Sequence, residues 1–408
     1  MTTTTESAGT IDDTLARRNA LLLSVAQALG GSSATIVFAT TSILGASLLD
    51  ADKSLATLPV TAFVLGTALG TLPAGLIMRH FGRRVGFSFS MLLGFVFSLI
   101  AALAAYYGHF YLLCFSTLGT GLVAAFVQQF RFAAADTASD GFKPKAISLV
   151  LAGGILAGVI GPQTVIWTKD LFEPFLFVGT YLAQAVLSLI AFFVVVNVRV
   201  PLPPKRNSVG HKQGRPLSYI MKQPRFVVAV LCGMISYAIM SLVMTSAPLA
   251  MIACGLTETD AALGIQWHVV AMFGPSFITG NLITRFGALK IMGVGFGLYL
   301  LCSMVALTGL ELWIFWSSLV LLGLGWNFSF VGATTLLTQT YRDEERNMVQ
   351  AFNDFLVFGL VAISSFSSGK LLHSFGWETV NTMVFPFIAV CLVSLIWLGL
   401  RRKTESIA

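Results

Sequence analysis

The chain has 408 residues, of which 56% are apolar and only 11% are charged, whereas soluble domains carry about a quarter charged residues. So few charges exclude a soluble fold, because a protein in water could not cover its surface with polar groups, whereas lipid makes no such demand. The net charge of +7 is spread over short segments between long apolar stretches, unlike the basic patch of a nucleic-acid-binding protein. We therefore expect an integral membrane protein with a lipid bilayer, and no nucleic acid, as its partner.

Apolar stretches of about 20 residues, the length that crosses a bilayer as a helix, predict an all-α fold with twelve transmembrane helices. A polar tail at 1–19 precedes six spans within 20–198. A polar segment at 199–225, rich in Pro and Lys, separates these from six more spans within 226–400 and a short tail at 401–408. The predicted spans lie near residues 20–48, 56–78, 86–106, 110–135, 145–168, 175–198, 226–252, 260–284, 288–309, 312–338, 347–369 and 379–400.

The Lys and Arg residues indicate the orientation, since cytoplasmic loops of membrane proteins carry an excess of both. All but three of the 25 fall on the side of the two tails and the central linker, and the exceptions are Lys53, Lys169 and Lys370. This distribution predicts a multi-pass membrane protein with both termini in the cytoplasm.

Two segments half a chain apart are alike. GLIMRHFGRR at 75–84 follows the second span, and GNLITRFG at 280–287 follows the eighth, 205 residues later. Internal repeats of this kind are typical of transporters whose halves move about a site between them. The predicted fold is therefore an all-α integral membrane protein built from two pseudo-symmetric six-helix bundles.

The spans, the central linker and the loop after span two resemble the major facilitator superfamily along nearly the whole chain. Gly75, Gly82, Arg83 and Arg84 match the family's Gly-x-x-x-Asp-Arg-x-Gly-Arg-Arg/Lys pattern, and Arg79 stands at its acidic position. The chain is also similar to bacterial members proposed to take up riboflavin. The resemblance implies a secondary transporter of a small, mostly neutral aromatic or polar organic solute. Riboflavin uptake is the leading interpretation, and drug or metabolite efflux by proton antiport is the alternative.

The resemblance also implies a charge clamp on the cytoplasmic side. In the family, the loop after span two and acids on spans four and eleven form this clamp, and Arg83, Asp136 and Asp354 match its members. Because the loop acid is replaced, Arg79 is expected to pair with Asp354. Arg131, near the inner end of span four, either serves this gate or extends its charge to the membrane surface. The competing interpretation is that the loop arginines only bind lipid phosphates.

Two features bear on the direction of transport. Span five carries Gly153, Ala157, Gly161 and Pro162 at the spacing of a motif common among exchangers of the family, but small residues also allow close helix packing. The first span has no carboxylate, whereas many proton-driven exporters of the family carry one there. The sequence contains no catalytic set, metal cluster or soluble output domain. We therefore expect neither an enzyme nor a sensor, and a monomer without cofactor or metal.

Polar and aromatic side chains at mid-membrane depth are the candidate substrate-binding residues, because a polar group there must bond to another residue, to water or to the solute. The clusters at 266–268 and 326–327 place a large ring beside hydrogen-bonding groups. The alternative for each amide or imidazole is that it only ties helices together. The predicted binding residues are Phe38, Phe63, Gln128, Gln163, Tyr237, Gln266, Trp267, His268, Trp326 and Asn327, with Gln27 and Asn353 as further candidates.

Overall fold

The computed structural model describes residues 13–49, 52–139, 142–200, 215–342 and 345–407. Most of the predicted tail at 1–19 and of the linker at 199–225 lies outside these ranges. All regular elements within them are helices, which confirms the all-α fold. The helices are α1 (Thr14–Ser47), α2 (Leu58–Phe81), α3 (Arg83–Tyr107), α4 (Phe110–Val127), α5 (Phe130–Asp136), α6 (Lys143–Thr168), α7 (Val178–Val195), α8 (Leu217–Ile220), α9 (Pro224–Ala253), α10 (Glu258–Phe273), α11 (Ser276–Phe286), α12 (Ala288–Ala306), α13 (Leu312–Thr338), α14 (Arg346–Thr382) and α15 (Val384–Ile407).

The number of membrane-crossing helices depends on how broken helices are counted. By length and composition, ten helices of the described ranges are able to cross a membrane, or eleven if the bent pair α10–α11 is one span. One of the ten is a 54-residue stretch, Met348–Arg401, and its backbone breaks at Gly376, where φ is 79°. A straight helix of that length would reach about 80 Å, more than twice the roughly 30 Å hydrocarbon core. The break lies between the spans predicted at 347–369 and 379–400, and the total of twelve stays a prediction.

The outer surface of the helices is apolar. Leu72 is 73% exposed, Trp167 is 74% exposed and Val393 is 65% exposed. In water a continuous apolar surface of this kind would drive association. In a bilayer it is the expected surface, because helices satisfy their own backbone hydrogen bonds and leave only side chains facing lipid.

The helices form two sets that are packed alike. Helix α1 packs on α6 as α9 packs on α14; α2 packs on α4 as α10 packs on α13; and α3 packs on α7 as α12 packs on α15. The two sets meet where α1 contacts α9 and α10, where α2 contacts α14 and where α6 contacts α10. The pseudo-symmetric two-bundle fold is thus confirmed, while the limits 20–198 and 226–400 stay predictions.

The repeated sequence segments form the same backbone turn. Gly82 has φ 87° and ψ 159°, and Gly287, 205 residues later, has φ 86° and ψ 149°. Glycine adopts such positive φ values without the steric cost of a side chain. Helix packing repeats as well: Gly121 lies against the backbone of Phe63 and Gly323 against that of His268. The internal repeat is therefore present in the structure as well as in the sequence.

The glycine motif of α6 serves helix packing. A Cβ atom at Gly153 would collide with the backbone oxygen of Ser24, and one at Gly161 would collide with the hydroxyl of Thr35. The Thr35 hydroxyl donates across the same contact to the Ala157 carbonyl at 3.1 Å. Close packing of α6 on α1 accounts for these small residues, so the motif carries no information about the direction of transport.

Buried polar bonds tie the loops together at the end of the molecule where α1 begins and α15 ends, hereafter the terminal end. Glu345, directly before α14, has a fully buried side chain. Its carboxylate accepts from Nε of Arg215 at 2.9 Å, Nη2 of Arg215 at 2.8 Å and the backbone N–H of Arg342 at 2.9 Å. The Arg215 side chain, acting against the cost of burial, holds the pKa of Glu345 at about 2, below its ordinary value of 4.5. These bonds fix the chain before α9 to the chain before α14.

The first helix set has a matching tie. The Asp13 carboxylate, directly before α1, accepts from the backbone N–H of Ser139 at 2.9 Å and from its hydroxyl at 2.7 Å. Ser139 lies in the connection that leads to α6. In both sets, the chain just before the first helix (α1 or α9) is therefore bonded to the chain just before the fifth membrane span (α6 or α14).

We predict a pH-dependent contribution of Glu345 to stability. Because its pKa is lower in the folded protein than in the unfolded chain, the carboxylate stabilises the fold above about pH 4.5, and this contribution is lost as the pH falls towards about 2. Glu345→Gln should therefore lower the unfolding temperature in detergent at neutral pH, with a difference from wild type that closes as the pH is lowered through this range. Glu311→Gln, at an exposed loop position, is the matched control. A difference that stays constant down to acid pH would contradict the prediction.

Candidate functional site

A cavity lies between the two helix sets. Its volume is about 190 Å³. One wall comes from α1, α2, α4 and α6, and the other from α9, α10 and α14. The cavity is thus complete only when both halves of the chain are present.

The two walls differ in chemistry. The wall from the first half combines small residues with the amides of Gln27 and Gln128 and the rings of Phe38 and Phe63. The wall from the second half is dominated by methionine and aromatic side chains, among them Met240, Met244, Met272, Tyr237, Phe273 and Phe358. None of the described residues that line the cavity is charged. Such a lining suits a neutral solute with both an apolar face and hydrogen-bonding groups.

Four of the predicted binding residues line this cavity: Phe38, Phe63, Gln128 and Tyr237. Gln27, a further candidate, joins them. The rings of Phe38 and Phe63 meet edge to face with their centroids 5.8 Å apart. The sequence prediction therefore identified residues on both walls.

Trp326 lies directly behind the wall. It is 7% exposed and stacks on Phe330 with a centroid distance of 4.9 Å. Its ring also contacts two lining residues edge to face, Tyr237 at 5.5 Å and Phe273 at 6.1 Å. Trp326 therefore supports the wall and does not form its surface.

Three predicted residues lie away from the cavity. Trp267 is 44% exposed and shares an outer groove with Trp313 and Trp316. His268 is buried, and its Nδ1 bonds with the Leu319 carbonyl of α13 at 2.9 Å. Asn327 is buried too, and its amide donates to the Met272 carbonyl at 2.7 Å and to the Ser276 hydroxyl at 2.8 Å.

In this structure both polar residues make contacts between helices, and their role in substrate binding stays a prediction. The amide of Asn327 satisfies groups at the break between α10 and α11, where Gly274 and Pro275 interrupt the backbone ladder. His268 joins α10 to α13. The contacts match the alternative that such groups tie helices together. We leave Trp267, His268 and Asn327 out of the proposed site.

Gln163 and Gln266 close the cavity at the end opposite the terminal end. The Gln163 amide on α6 donates to the Gln266 side-chain oxygen on α10 at 2.9 Å. The Thr61 hydroxyl on α2 donates to Ser365 on α14 at 3.3 Å. Thr61 and Gln266 are 205 residues apart, the offset of the internal repeat. Two polar seams related by the pseudo-symmetry therefore join the halves here.

Two pairs of ionisable side chains lie further out at the same end. Lys169, after α6, is 3.8 Å from Glu258 at the start of α10, and His373 is 4.0 Å from Asp52. These two pairs and the two hydrogen bonds described above all join the two helix sets at this end. The halves are thus held together there.

The terminal end is open in this conformation. Arg83 and Asp136 form an ion pair within the first helix set. The side chains of Arg131 and Asp354, which belong to opposite helix sets, are both exposed. The expected pairing of Arg79 with Asp354 is not formed: Asp354 accepts from its neighbour Asn353 at 3.1 Å. The reason is that the helix sets are joined at the opposite end.

The sequence did not identify Ser241 or the three methionines of the second-half wall, Met240, Met244 and Met272, hereafter the methionine wall. In a uniformly apolar helix these residues look like ordinary packing residues. A usable signal was present in the helix breaks. Helix α4 ends at Val127 and α5 begins at Phe130, so Gln128 lies at an interruption; α10 ends at Phe273, beside Gly274 and Pro275. Interrupted apolar segments mark the binding site in many transporters, and both breaks adjoin the cavity.

Two helical bundles with a cavity between them, closed at one end and open at the other, define a solute transporter that works by alternating access. The sequence profile of the Major Facilitator Superfamily matches residues 20–275 and 229–407. The chain belongs to this superfamily of secondary transporters and is a multi-pass membrane protein.

Individual relatives are consistent with this assignment. The chain is 48% identical over 397 residues to the riboflavin transporter RfnT of Brucella anthropi, covering 97% of this chain and 99% of that one. It is 26% identical to YddS of Bacillus subtilis, described as an uncharacterized MFS-type transporter, covering 88% of this chain and 84% of that one. Among solved structures, a mutant of the nucleoside transporter NupG superimposes with a TM-score of 0.70 at 12% identity, covering 94% of this chain and 99% of that one. This last likeness concerns the fold alone.

We predict that Thr61→Cys combined with Ser365→Cys gives a disulfide that locks the opposite end and stops transport until a reductant is added. The native side-chain oxygens are 3.3 Å apart, so sulfur atoms at these positions fall within reach of each other. A protease site placed in the linker lets the cross-link be read as two fragments held together. Thr67→Cys with Ser365→Cys is the matched control, because Thr67 lies further along α2. Equal cross-linking of both pairs, or none in the first, would count against the described closure.

We predict opposite outcomes for two tryptophan substitutions. Trp326→Ala removes the support of the aromatic wall and should cost about 3–5 kcal/mol of stability together with most of the transport activity, whereas Trp326→Phe should retain both. Trp267→Ala, on the outer surface, should leave uptake per inserted molecule near wild type. Uptake assays and thermal unfolding in detergent measure both effects. Loss of uptake in Trp267→Ala at normal stability would restore that residue to the site.

Proposed function

We propose that this protein imports riboflavin by alternating access between its two helix bundles. The observation that carries the proposal is the uncharged cavity, lined by aromatic rings, methionines and amides. Riboflavin is a neutral planar ring with polar edges and a hydroxylated chain, so it combines stacking with hydrogen bonding. The substrate named for the relative RfnT, at 48% identity, supports the same assignment.

The proposed location is a bacterial inner membrane, with both tails (1–19 and 401–408) and the linker at 199–225 in the cytoplasm. The distribution of Lys and Arg supports this orientation, since all but three of the 25 belong to the terminal side. The cavity then opens to the cytoplasm in the described conformation. One chain supplies both walls, which supports a monomer as the working unit, with small molecule and lipid but no nucleic acid as partners.

The proposed inner gate lies at the terminal end and closes when the two helix sets approach each other there. Arg83 and Asp136, already paired, hold the loop after α2 against α5. Asp354 and Arg131 face the gap from opposite sets, so closure brings their charges together, and Arg79 lies on the helix that then approaches Asp354. Such an exchange of ion pairs stabilises one state relative to the other.

Efflux by proton antiport, the alternative, lacks a proton carrier at the site. Helix α1 contains no carboxylate, and the described lining residues carry no titratable acid or imidazole. An exporter of this type needs a group in the cavity that exchanges a proton for the solute. The lack of titratable acids and imidazoles among the described lining residues therefore favours uptake of a neutral solute over proton-coupled export.

The experiment is growth rescue of a riboflavin-auxotrophic bacterium at low external riboflavin, paired with uptake of labelled riboflavin. We expect rescue and saturable uptake, and little competition by flavin mononucleotide, because its phosphate brings negative charge into a cavity that offers no cation. Ala124→Trp, which fills the cavity, is the inactive control. Absence of rescue with normal membrane insertion, or net loss of labelled riboflavin from loaded cells, would contradict the proposal.

A further inference from the structure

The polar groups that line the cavity are not equally available to a solute. Thr67 and Thr120 donate their hydroxyl protons to backbone carbonyls of their own helices at 3.0 and 2.9 Å, and the Thr35 hydroxyl lies within 2.9 Å of the Ser32 carbonyl and 3.1 Å of the Ala157 carbonyl. Their hydrogen-bonding capacity is therefore largely used within the protein. Selectivity has to come from groups that remain free.

Ser241 is such a group. It lies on α9 between the lining residues Met240 and Met244 and is 1% exposed, and its hydroxyl has no hydrogen-bond partner. Among the described buried polar atoms without a partner, it is the one whose residue lines the cavity. Ser246 on the same helix instead donates to the Leu242 carbonyl at 2.9 Å. Since an unpaired buried hydroxyl is costly, Ser241 indicates a position where the solute supplies the partner.

Gln27 and Gln128 face the cavity from the other wall. Neither side-chain amide bonds to another residue of the described part of the chain, and both are accessible from the cavity. Gln128 follows the end of α4, at the interruption before α5. Each amide offers two donors and one acceptor. This pairing of donor and acceptor matches a row of hydroxyl groups, which also both donate and accept.

We propose that the cavity binds its solute in one orientation, with the polar edge of a planar ring at Ser241 and a polyhydroxylated chain at Gln27 and Gln128. The proposal rests on the proposed function and names the residues that determine its specificity. The methionine and aromatic wall contacts the ring faces through dispersion and sulfur–aromatic contacts. The single hydroxyl of Ser241 bonds to a ring carbonyl.

The reverse orientation fails on hydrogen-bond satisfaction. It would set several chain hydroxyls against Met240, Met244 and Phe273, on a wall whose hydroxyl groups are those of Ser241 and Tyr237. Buried polar groups without partners disfavour that arrangement.

The test uses two flavins that differ only in the chain. Lumiflavin has the ring of riboflavin with a methyl group in place of the ribityl chain. Ser241→Ala should raise both the KM for riboflavin uptake and the Ki of lumiflavin by about 3- to 10-fold, because the ring bond is lost for both. Gln27→Leu and Gln128→Leu should raise the KM for riboflavin by a similar factor and leave the Ki of lumiflavin unchanged.

Ser246→Ala is the matched control, with unchanged constants for both flavins. The amount of each variant in the membrane and its elution as a single species in detergent separate misfolding from weak binding. Equal effects of the glutamine variants on both flavins, or an effect of Ser241→Ala on riboflavin alone, would overturn the orientation while leaving riboflavin transport intact. A wild-type protein that neither transports riboflavin nor responds to lumiflavin would overturn the proposed function and this inference together.

Discussion

A hydrocarbon environment offers no hydrogen-bond partner, so each polar group of the embedded helices must find one inside the protein or in a cavity. Asn327 shows the first solution, because its amide satisfies the backbone carbonyl that the Gly274-Pro275 break sets free. Ser241 shows the second, because it lines the cavity and its buried hydroxyl has no partner within the protein. The same constraint that fixes the fold thus separates polar groups used for packing from those available to a solute.

The internal duplication gives the protein two similar helix sets that are able to move relative to each other. The turns at Gly82 and Gly287 have nearly the same backbone angles, and the helices of each set pack in the same pattern. The Gln163–Gln266 bond and its counterpart on α2 and α14 join the two sets at one end. Two similar bodies that are bonded at one end and separated at the other can exchange these states by rocking about the cavity between them.

The sequence predicted the fold more fully than the site. Composition, apolar stretches and the repeated loop predict a two-bundle helical membrane protein, and the structure confirms it. The site depends on which face of each helix points inward, and helices that are apolar all round carry little amphipathic signal to indicate that face. Depth alone therefore selected Tyr237 and Gln128, which line the cavity, together with Trp267, which faces outward. It also passed over Ser241, because a serine in such a helix usually bonds to its own backbone.

The pairing of Arg79 with Asp354 illustrates a second limit. The family pattern describes a clamp that forms when the terminal end closes, and the structure has that end open. Asp354 accordingly bonds to Asn353, while Arg83 and Asp136 keep a pair that does not cross between the halves. A sequence pattern is common to both conformations, whereas a single structure contains the contacts of one.

The most direct measurement of the central claim is an experimental structure of the protein in lipid with riboflavin bound. The account predicts the ring between the methionine wall and the rings of α1 and α2, with its polar edge at Ser241 and its chain at Gln27 and Gln128. Riboflavin bound outside the space between the two bundles, or held there by a charged side chain, would contradict it.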